Sequence, residues 1–246
     1  MKLTLLILFS AVALCAVACN KPAGPLPLNT AQDNGTAAAP VTPAANNPAA
    51  AAGDATGKAD AAMAALLKAD DYDKAIETAR ASLESAPSES LREKLADAYM
   101  ARAWFYKAKR LNPYTLDDLR KAQEAAPDYY LVYYDLGRFY NNQMMQSTGV
   151  LELAKCIKLK PDFAPAYNEK SACESRIYRW EAALADADRA VQLNPSEATY
   201  YYNRSLALKG LQKNKEAIAD LETAIKLSKD QALIDKATAD LKLLKN

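Results

Sequence analysis

The chain repeats itself between residues 130 and 231, with a period of about 34 residues. Three sets of landmark residues share this spacing: Tyr133, Tyr167 and Tyr201; Pro127, Pro161 and Pro195; Gly149, Ala183 and Ala217. Each unit begins with an aromatic helical pattern and passes through a polar turn, and the first two close at Pro161 and Pro195, whereas the third has Lys229 at that place. A period of this length, filled by two short helices, predicts an all-α solenoid and not a single closed core.

Upstream the pattern weakens but persists. Residues 56–88 carry apolar residues at helical spacing, with Asp70-Asp71-Tyr72 as the turn. The step from Pro87 to Pro127 exceeds the later proline spacing by six residues, so we expect an insertion that lengthens the first helix of the second unit to about Arg110. Asn112-Pro113 should break that helix. Thr115 with Asp118 is interpreted as the N-cap of the next one.

At the C-terminus, one helical face collects the apolar residues Leu233, Ile234, Ala237, Leu241 and Leu244. A terminal helix of this kind would cover the stacking surface of the last repeat. The repeat domain is predicted at 58–246, with units at about 58–88, 89–129, 130–163, 164–197 and 198–231 and a cap helix at 231–245.

The unit at 130–163 resembles the tetratricopeptide repeat in its Tyr133, Leu136-Gly137, Tyr140 and Pro161. In the next unit Lys170 and Glu174 replace the Leu and Tyr of that pattern, so its first helix is more polar. The resemblance implies a right-handed α-solenoid of about five helix-turn-helix repeats with a C-terminal capping helix. Small residues at Gly137, Ser171 and Ser205 would let the paired helices approach closely.

Composition argues against several functions. The chain has 31 Lys+Arg, 30 Asp+Glu and no His, which gives a net charge of +1. Nucleic-acid binding needs a basic patch or stripe, so no nucleic-acid partner is expected. Without His, the commonest general base and metal ligand are missing. There is no phosphate-binding glycine loop or hydrolase motif, so we predict a non-enzymatic protein with no cofactor and no metal.

Residues 1–18 have the pattern of a signal peptide, with Lys2 followed by an uncharged stretch that is too short to span a membrane. Two interpretations of its end compete. Ala16-Val17-Ala18 fits ordinary secretion and would give a soluble periplasmic product. The same residues before Cys19 also resemble a bacterial lipobox, although Ala16 stands where that motif usually has Leu. We prefer lipidation at Cys19, because a cysteine at a cleavage point otherwise has no evident purpose.

A lipidated Cys19 would anchor the chain to a membrane, since two or more acyl chains give stable attachment. Asn20 is not the Asp that resembles an inner-membrane retention signal, which favours an outer-membrane lipoprotein facing the periplasm. The segment 19–57 is rich in Pro and Ala and predicts a disordered linker.

Two cysteines remain in the repeat domain, Cys156 and Cys173. They could pair in an oxidising periplasm, but their predicted offset strains the distance limit of a disulfide, so we favour two buried small side chains. The carboxylates Asp117-Asp118, Asp186 and Asp188 are interpreted as solvated helix faces.

Tyrosine is in excess, with 14 residues. Tyr133 and Tyr201 are interpreted as core positions. In the tetratricopeptide family the first helices line a concave groove, which implies a peptide-binding set consisting of Tyr134, Arg138, Asn141, Asn168, Arg176, Tyr202 and Lys209. Tyr and Arg are typical of binding hot spots, although they also occur on ordinary helix surfaces.

The sequence therefore predicts a lipid-anchored scaffold that binds a protein or peptide partner in the bacterial cell envelope. The alternative is a self-associating structural protein, a homodimer formed through the extended second unit. An exposed apolar patch around Trp104-Phe105 would favour that alternative.

Overall fold

The structure is a computed structural model that describes residues 65–68 and 70–245, all within one compact unit. In this part of the chain every regular element is helical and no strand occurs. The predicted signal peptide at 1–18, the lipidation site at Cys19 and the linker at 19–57 lie outside the described residues. A helical turn at 65–68 is followed by α1 (Tyr72–Ser85), α2 (Glu89–Ala108), α3 (Asn112–Ala125), α4 (Tyr130–Asn142), α5 (Gln146–Leu159), α6 (Ala164–Arg176), α7 (Trp180–Leu193), α8 (Ala198–Gly210), α9 (Asn214–Leu227) and α10 (Gln231–Lys245).

The helices pack as successive hairpins. The closest partners are α2 with α3, α4 with α5, α6 with α7, and α8 with α9, and each hairpin then packs on the next. The 65–68 turn and α1 form the described part of the first unit, and α10 covers α9 at the other end. The predicted helical repeat solenoid is confirmed.

The turn inside each unit uses a left-handed residue that is never glycine. Asp70, Arg110, Met144, Tyr178 and Gln212 have φ between 57° and 61°. Such a residue costs about 1 kcal/mol, but the turn closes with the hydrogen bonds that satisfy a helix C-terminus. In each unit the amide after the left-handed residue donates to a carbonyl five residues back, as Met145 N does to Tyr140 O at 2.9 Å.

These turn residues locate the insertion. From Arg110 onward they recur with the period of the sequence, whereas the step from Asp70 to Arg110 is six residues longer. The extra residues lie in α2, which has 20 residues against 13 in α4, α6 and α8. The predicted lengthening of this helix is confirmed.

The predicted N-cap at Thr115 is wrong. Helix α3 already begins at Asn112, with Leu111 as its N-cap and Pro113 in its first turn. Proline favours this place because its fixed φ suits the helix and its missing N–H would be unpaired there anyway. Thr115 is fully buried inside the helix, where its hydroxyl donates to Leu111 O at 3.1 Å.

Small residues allow the helices of a unit to approach closely, as predicted. A Cβ added to Gly137 would lie 2.4 Å from Leu153 Cγ, which leaves no room for a side chain. Ser171 is buried at the equivalent position, and its Oγ donates to Ala183 O on the facing helix at 2.7 Å.

A second contact repeats with the period of the sequence. The hydroxyls of Tyr133, Tyr167 and Tyr201 each donate to the carbonyl of the proline six residues earlier, at 2.6, 3.1 and 3.1 Å. Each tyrosine thereby ties the start of its first helix to the end of the preceding unit. The predicted core position is confirmed for Tyr133 and wrong for Tyr201, which is half-buried, whereas its neighbour Tyr200 is buried.

The interpretation of the carboxylates as solvated faces is wrong for Asp118 and Asp186, whose side chains are largely buried, whereas Asp117 and Asp188 are open to solvent. The Asp118 carboxylate is buried and accepts two hydrogen bonds from Arg102, both at 2.7 Å. Asp186 pairs with Lys170, and Asp188 pairs with Arg204 at 3.1 Å. Asp117 is exposed beside Lys121. Cations on the first helices of the units pair with Asp118, Asp186 and Asp188, and the sequence prediction did not include such pairing between helices.

Both cysteines are buried and free. Burial raises the pKa of each thiol to about 12, so neither forms an appreciable thiolate at neutral pH. The prediction of two buried small side chains is confirmed. None of the helices in the described ranges is both long and apolar enough to traverse a lipid bilayer.

Candidate binding face

The candidate site is the surface formed by the first helices of successive units, which we call the first-helix face. Helices α4, α6 and α8 pack side by side along it. Because the units share one period, side chains recur in rows along this surface. The first row is Tyr134, Asn168, Tyr202 and Lys236; the second is Trp104, Arg138, Ala172, Leu206 and Asp240; the third is Lys107, Asn141, Ser175 and Lys209.

All seven residues of the predicted groove lie on these helices, six of them in the three rows, with Arg176 one residue beyond the third row. The rows also continue into α10, where Lys236 and Asp240 occupy the next positions. Tyr202 Oη donates to Asp240 at 3.1 Å, and Lys209 Nζ lies 3.0 Å from the same carboxylate. Helix α10 therefore acts as a further first helix as well as a cap.

The first row lines an open depression of about 470 Å³, which we call the acidic pocket. Three carboxylates, those of Glu169, Glu197 and Asp230, share its wall with Tyr134 and Tyr200. Burial raises the pKa of Tyr134 above its ordinary range. Its ring packs edge-on against Phe163 with centroids 5.1 Å apart, which fixes its orientation.

The side chain of Arg138 is held by contacts with its neighbours. It does not line the acidic pocket or the two other depressions along this face. Its guanidinium lies over the ring of Trp104 at 4.6 Å and over that of Tyr134 at 5.4 Å. It also contacts Asp135 at 3.3 Å, and the Trp104 indole donates to Asp135 at 2.7 Å. Because stacked guanidinium and indole groups present a flat surface, this cluster can support a partner without enclosing it.

Asn141 is buried and Arg176 is exposed, so these two predicted groove residues differ in role. Arg176 Nη1 donates to Asn141 Oδ1 at 2.7 Å, across from α6 to α4. Asn141 therefore positions the guanidinium and offers little surface of its own. Both residues line a depression of about 590 Å³ that ends at the exposed turn residues Met144 and Tyr178.

A larger depression, of about 620 Å³, lies between α6, α8 and α10. We call it the basic pocket and define it by its cationic, aromatic and aliphatic lining residues, Arg176, Trp180, Tyr202, Leu206, Lys209 and Lys236. Trp180 stands at the start of α7 and covers Gly210, where an added Cβ would come within 2.2 Å of the indole ring. Glycine at this position is what allows the ring to form the floor.

Trp180, Lys236 and Asp240 lie on this face but were not among the groove residues predicted from the sequence. Lys236 and Asp240 lie one period after Tyr202 and Leu206. The repeat would therefore have predicted both residues if α10 had been treated as a further first helix. Trp180 carried no such signal, because the equivalent residues Gln146 and Asn214 are polar.

Charge divides the first-helix face. Carboxylates gather where the first helices begin, as at Glu93, Glu197 and Asp230, and cations where they end, as at Lys107 and Lys209. In residues 65–68 and 70–245, no group of three or more His, Cys, Asp or Glu side chains is arranged to hold a metal ion. The chemistry of this surface is that of recognition by charge and aromatic contact.

Residues 198–231 match the family model described as "Tetratricopeptide repeat". No curated protein matches the chain. Among solved structures, the fold is similar to that of YrrB, a TPR protein described as having an unusual peptide-binding site, at 19% identity over 72% of this chain and 88% of that one, with a TM-score of 0.55. It is also similar to MamA from Desulfovibrio magneticus RS-1, at 21% identity over 61% of this chain and 82% of that one, with a TM-score of 0.54. These likenesses support a tetratricopeptide-repeat protein.

Proposed function

We propose that this protein is a scaffold of the bacterial cell envelope that binds a protein or peptide partner through its first-helix face. The observation that carries the proposal is the run of open depressions along this face, lined by Tyr134, Arg176, Trp180, Tyr202 and Lys209. Tyr, Trp and Arg are the residues that most often supply binding energy at protein interfaces. YrrB, which has a similar fold, is described as having a peptide-binding site.

The tether is part of the proposal. Lipidation at Cys19 would hold the repeats at the outer membrane, and the segment 20–57 would let them reach into the periplasm. Anchoring raises a partner's local concentration at the membrane without any new contact. The support comes from the sequence at residues 1–19, where an uncharged stretch ends in small residues before a cysteine.

The tether is tested by intact mass and membrane fractionation of the full chain in a Gram-negative host, beside Cys19→Ser. We expect the parent protein in the membrane fraction with an added lipid mass, and the variant without either. If both proteins are soluble and begin at residue 19, the protein is a diffusible periplasmic adaptor instead.

The binding face is tested by partner capture with Arg138→Ala and Tyr202→Ala. Matched controls are Arg189→Ala and Tyr114→Ala, which remove the same residue types from exposed positions on the second helices α7 and α3. We expect the face variants to lose the captured partner and the controls to keep it. Equal capture by all four variants would exclude the first-helix face as the binding surface.

The alternative function is self-association through the second unit, which an exposed apolar patch around Trp104 and Phe105 would favour. Among the described residues no such patch is found at this place. Trp104 and Phe105 are half-buried and do not form an exposed patch. Trp104 packs under Arg138 and bonds to Asp135, while Phe105 packs against Tyr72 with centroids 5.3 Å apart. A concentration-dependent dimer that is lost on deleting residues 104–109 would revive this rival.

A further inference from the structure

The basic pocket is neutralised only in part. Lys209 has one carboxylate partner, Asp240, at 3.0 Å. The guanidinium of Arg176 bonds to the neutral side chain and the carbonyl of Asn141. Neither Arg176 nor Lys236 forms an ion pair with any residue that the structure describes. Two cations in the wall of one pocket are therefore available to a ligand's negative charge.

The same pocket has an apolar floor. The indole of Trp180 lies over Gly210, and Leu206 and Ala172 complete the surface beside it. Gly210 admits the ring only because it lacks a Cβ. A floor of this size accepts one large aliphatic or aromatic side chain, which a small inorganic anion would leave uncovered.

One residue of the pocket wall has an unsatisfied polar group. Ser175 is 8% exposed and lines both the basic pocket and the adjoining depression beside Asn141. Its hydroxyl has no hydrogen-bond partner within the described part of the chain. Buried hydroxyls are normally paired, so this oxygen, which is closed off from solvent, is an unsatisfied polar group directly beneath the pocket wall.

We propose that the basic pocket binds an acidic peptide segment, with one large apolar side chain against Trp180 and Leu206 and its flanking carboxylates on Arg176 and Lys236. The proposal rests on the function proposed above and names the chemical class of the partner. Lys236 lies at the boundary with the acidic pocket, whose three carboxylates, Glu169, Glu197 and Asp230, would repel a second acidic run. The ligand's negative charge is therefore confined to the half of the face that carries Arg176 and Lys209.

The test uses the protein with its repeats intact and an eight-residue peptide that has four Asp or Glu residues around one Leu. The peptide is acetylated and amidated, so that only side-chain carboxylates are offered. The chain has two tryptophans, Trp104 and Trp180, and their indole N–H signals in a ¹H–¹⁵N spectrum are assigned with Trp180→Phe. We expect the peptide to shift the Trp180 signal and to leave that of Trp104, which is bonded to Asp135, in place.

Variants locate the contact. Arg176→Gln and Lys236→Gln should each weaken binding by about fivefold, the effect of losing one partly exposed ion pair. Lys215→Gln removes the same charge from an exposed position on the second helix α9 and should leave the affinity unchanged. Replacing the peptide's Leu by Gly should weaken binding by about tenfold or more.

Two companion peptides identify the source of the interaction. One carries a free C-terminal carboxylate, and tighter binding of that peptide alone would assign the cations to a chain terminus. A peptide with Lys at the acidic positions should not shift Trp180. If this basic peptide binds at Tyr134 and Tyr200 and the acidic peptide does not bind, the proposal of an acidic ligand is overturned. The proposed function would still stand, because the first-helix face would then bind a peptide in the acidic pocket. If the acidic peptide produces no shift at Trp180 in the millimolar range, the proposal is also overturned, whatever partner capture shows.

Discussion

Glu174 shows how one substitution in a repeat changes the chemistry of a buried position. Tyr140 and Leu208 occupy the equivalent places in the neighbouring units. The Glu174 carboxyl is 4% exposed and contacts Lys170 at 3.2 Å, but its second oxygen has no hydrogen-bond partner among the described residues. Burial, helped by the nearby carboxylate of Asp186 and opposed by Lys170, raises the pKa of Glu174 to about 7.

A raised carboxyl pKa makes stability depend on pH in a fixed direction. The ordinary value is 4.5, so between pH 4.5 and about 7 the folded protein keeps a proton that the unfolded chain has lost. The free energy of unfolding therefore contains a contribution from Glu174 that is fully present below pH 4.5 and is lost as the pH rises through about 7.

Glu174→Gln removes this dependence. We expect the variant to gain stability relative to the parent as the pH rises from 5 to 8, by about 1–2 kcal/mol, because the parent alone must ionise a buried carboxyl. Urea unfolding at the two pH values measures the difference. Burial also raises the pKa of Asp97, to about 6, but that residue is present in both proteins and cancels in the comparison. A difference that is the same at pH 5 and pH 8 would contradict the assignment.

Among the elements, three units are held together by an ion pair at a fixed spacing as well as by their apolar cores. Arg102 with Asp118, Lys170 with Asp186, and Arg204 with Asp220 each join a first helix to its second helix at the same separation along the chain. Arg204 also reaches Asp188 in the preceding unit. In the unit at 130–163, Leu136 and Glu152 hold these positions. An apolar residue is thus compatible with the same helix packing.

Arg204→Leu should destabilise the protein by about 2–3 kcal/mol, because it leaves the Asp220 carboxylate, 7% exposed, without its cation. Replacing Asp220 by Leu as well should restore at least about half of that loss, because the buried carboxylate without a cation is then gone. Lys245→Met, which breaks an exposed pair with Glu222, should cost less than about 1 kcal/mol. Denaturant unfolding of the three variants provides the measurement, and equal losses in Arg204→Leu and Lys245→Met would contradict it.

The sequence was sufficient to predict the helices and their pairing into hairpins, but it did not predict the side-chain contacts between helices. Period and apolar spacing predicted the hairpins, the lengthened α2 and the cap, because burial of one helical face leaves a regular trace. The ion pairs are also visible in the sequence, because the same separation between a cation and a carboxylate recurs in three units. That separation can be recognised as an ion pair only when it is known which residues of the two helices face each other. Thr115 was misassigned because its residue type favours caps, whereas Pro113 had already begun the helix. Trp180 could not be foreseen, since its place on the face depends on the space left by Gly210.

At the scale of the molecule, each unit contacts its neighbours and little else. In the described chain the helix pairs with substantial contact all lie within one unit or between adjacent units. Stability in such arrays is a sum of unit and interface contributions, so damage at one end should fade along the chain. The face built from these units is continuous for the same reason, and its rows extend into α10.

Deleting residues 229–246 should therefore act locally. Removal of α10 uncovers α9 and takes Asp240 away from Tyr202 and Lys209. We expect amide hydrogen exchange in α8 and α9 to accelerate by about tenfold or more, with α2 and α3 unchanged, because nearest-neighbour coupling weakens with distance. Uniform acceleration through all helices would mean that the array unfolds as a single unit.

Position-specific photo-crosslinking in living cells would show whether the first-helix face binds a partner. A photoreactive phenylalanine replaces Leu206 on this face or, as the control, Leu151, which is 63% exposed on the second helix α5. We predict a discrete crosslinked product at position 206 that disappears with Arg176→Glu, and no product at position 151. Crosslinking at 151 alone, or a product at 206 that Arg176→Glu leaves intact, would contradict binding through this face.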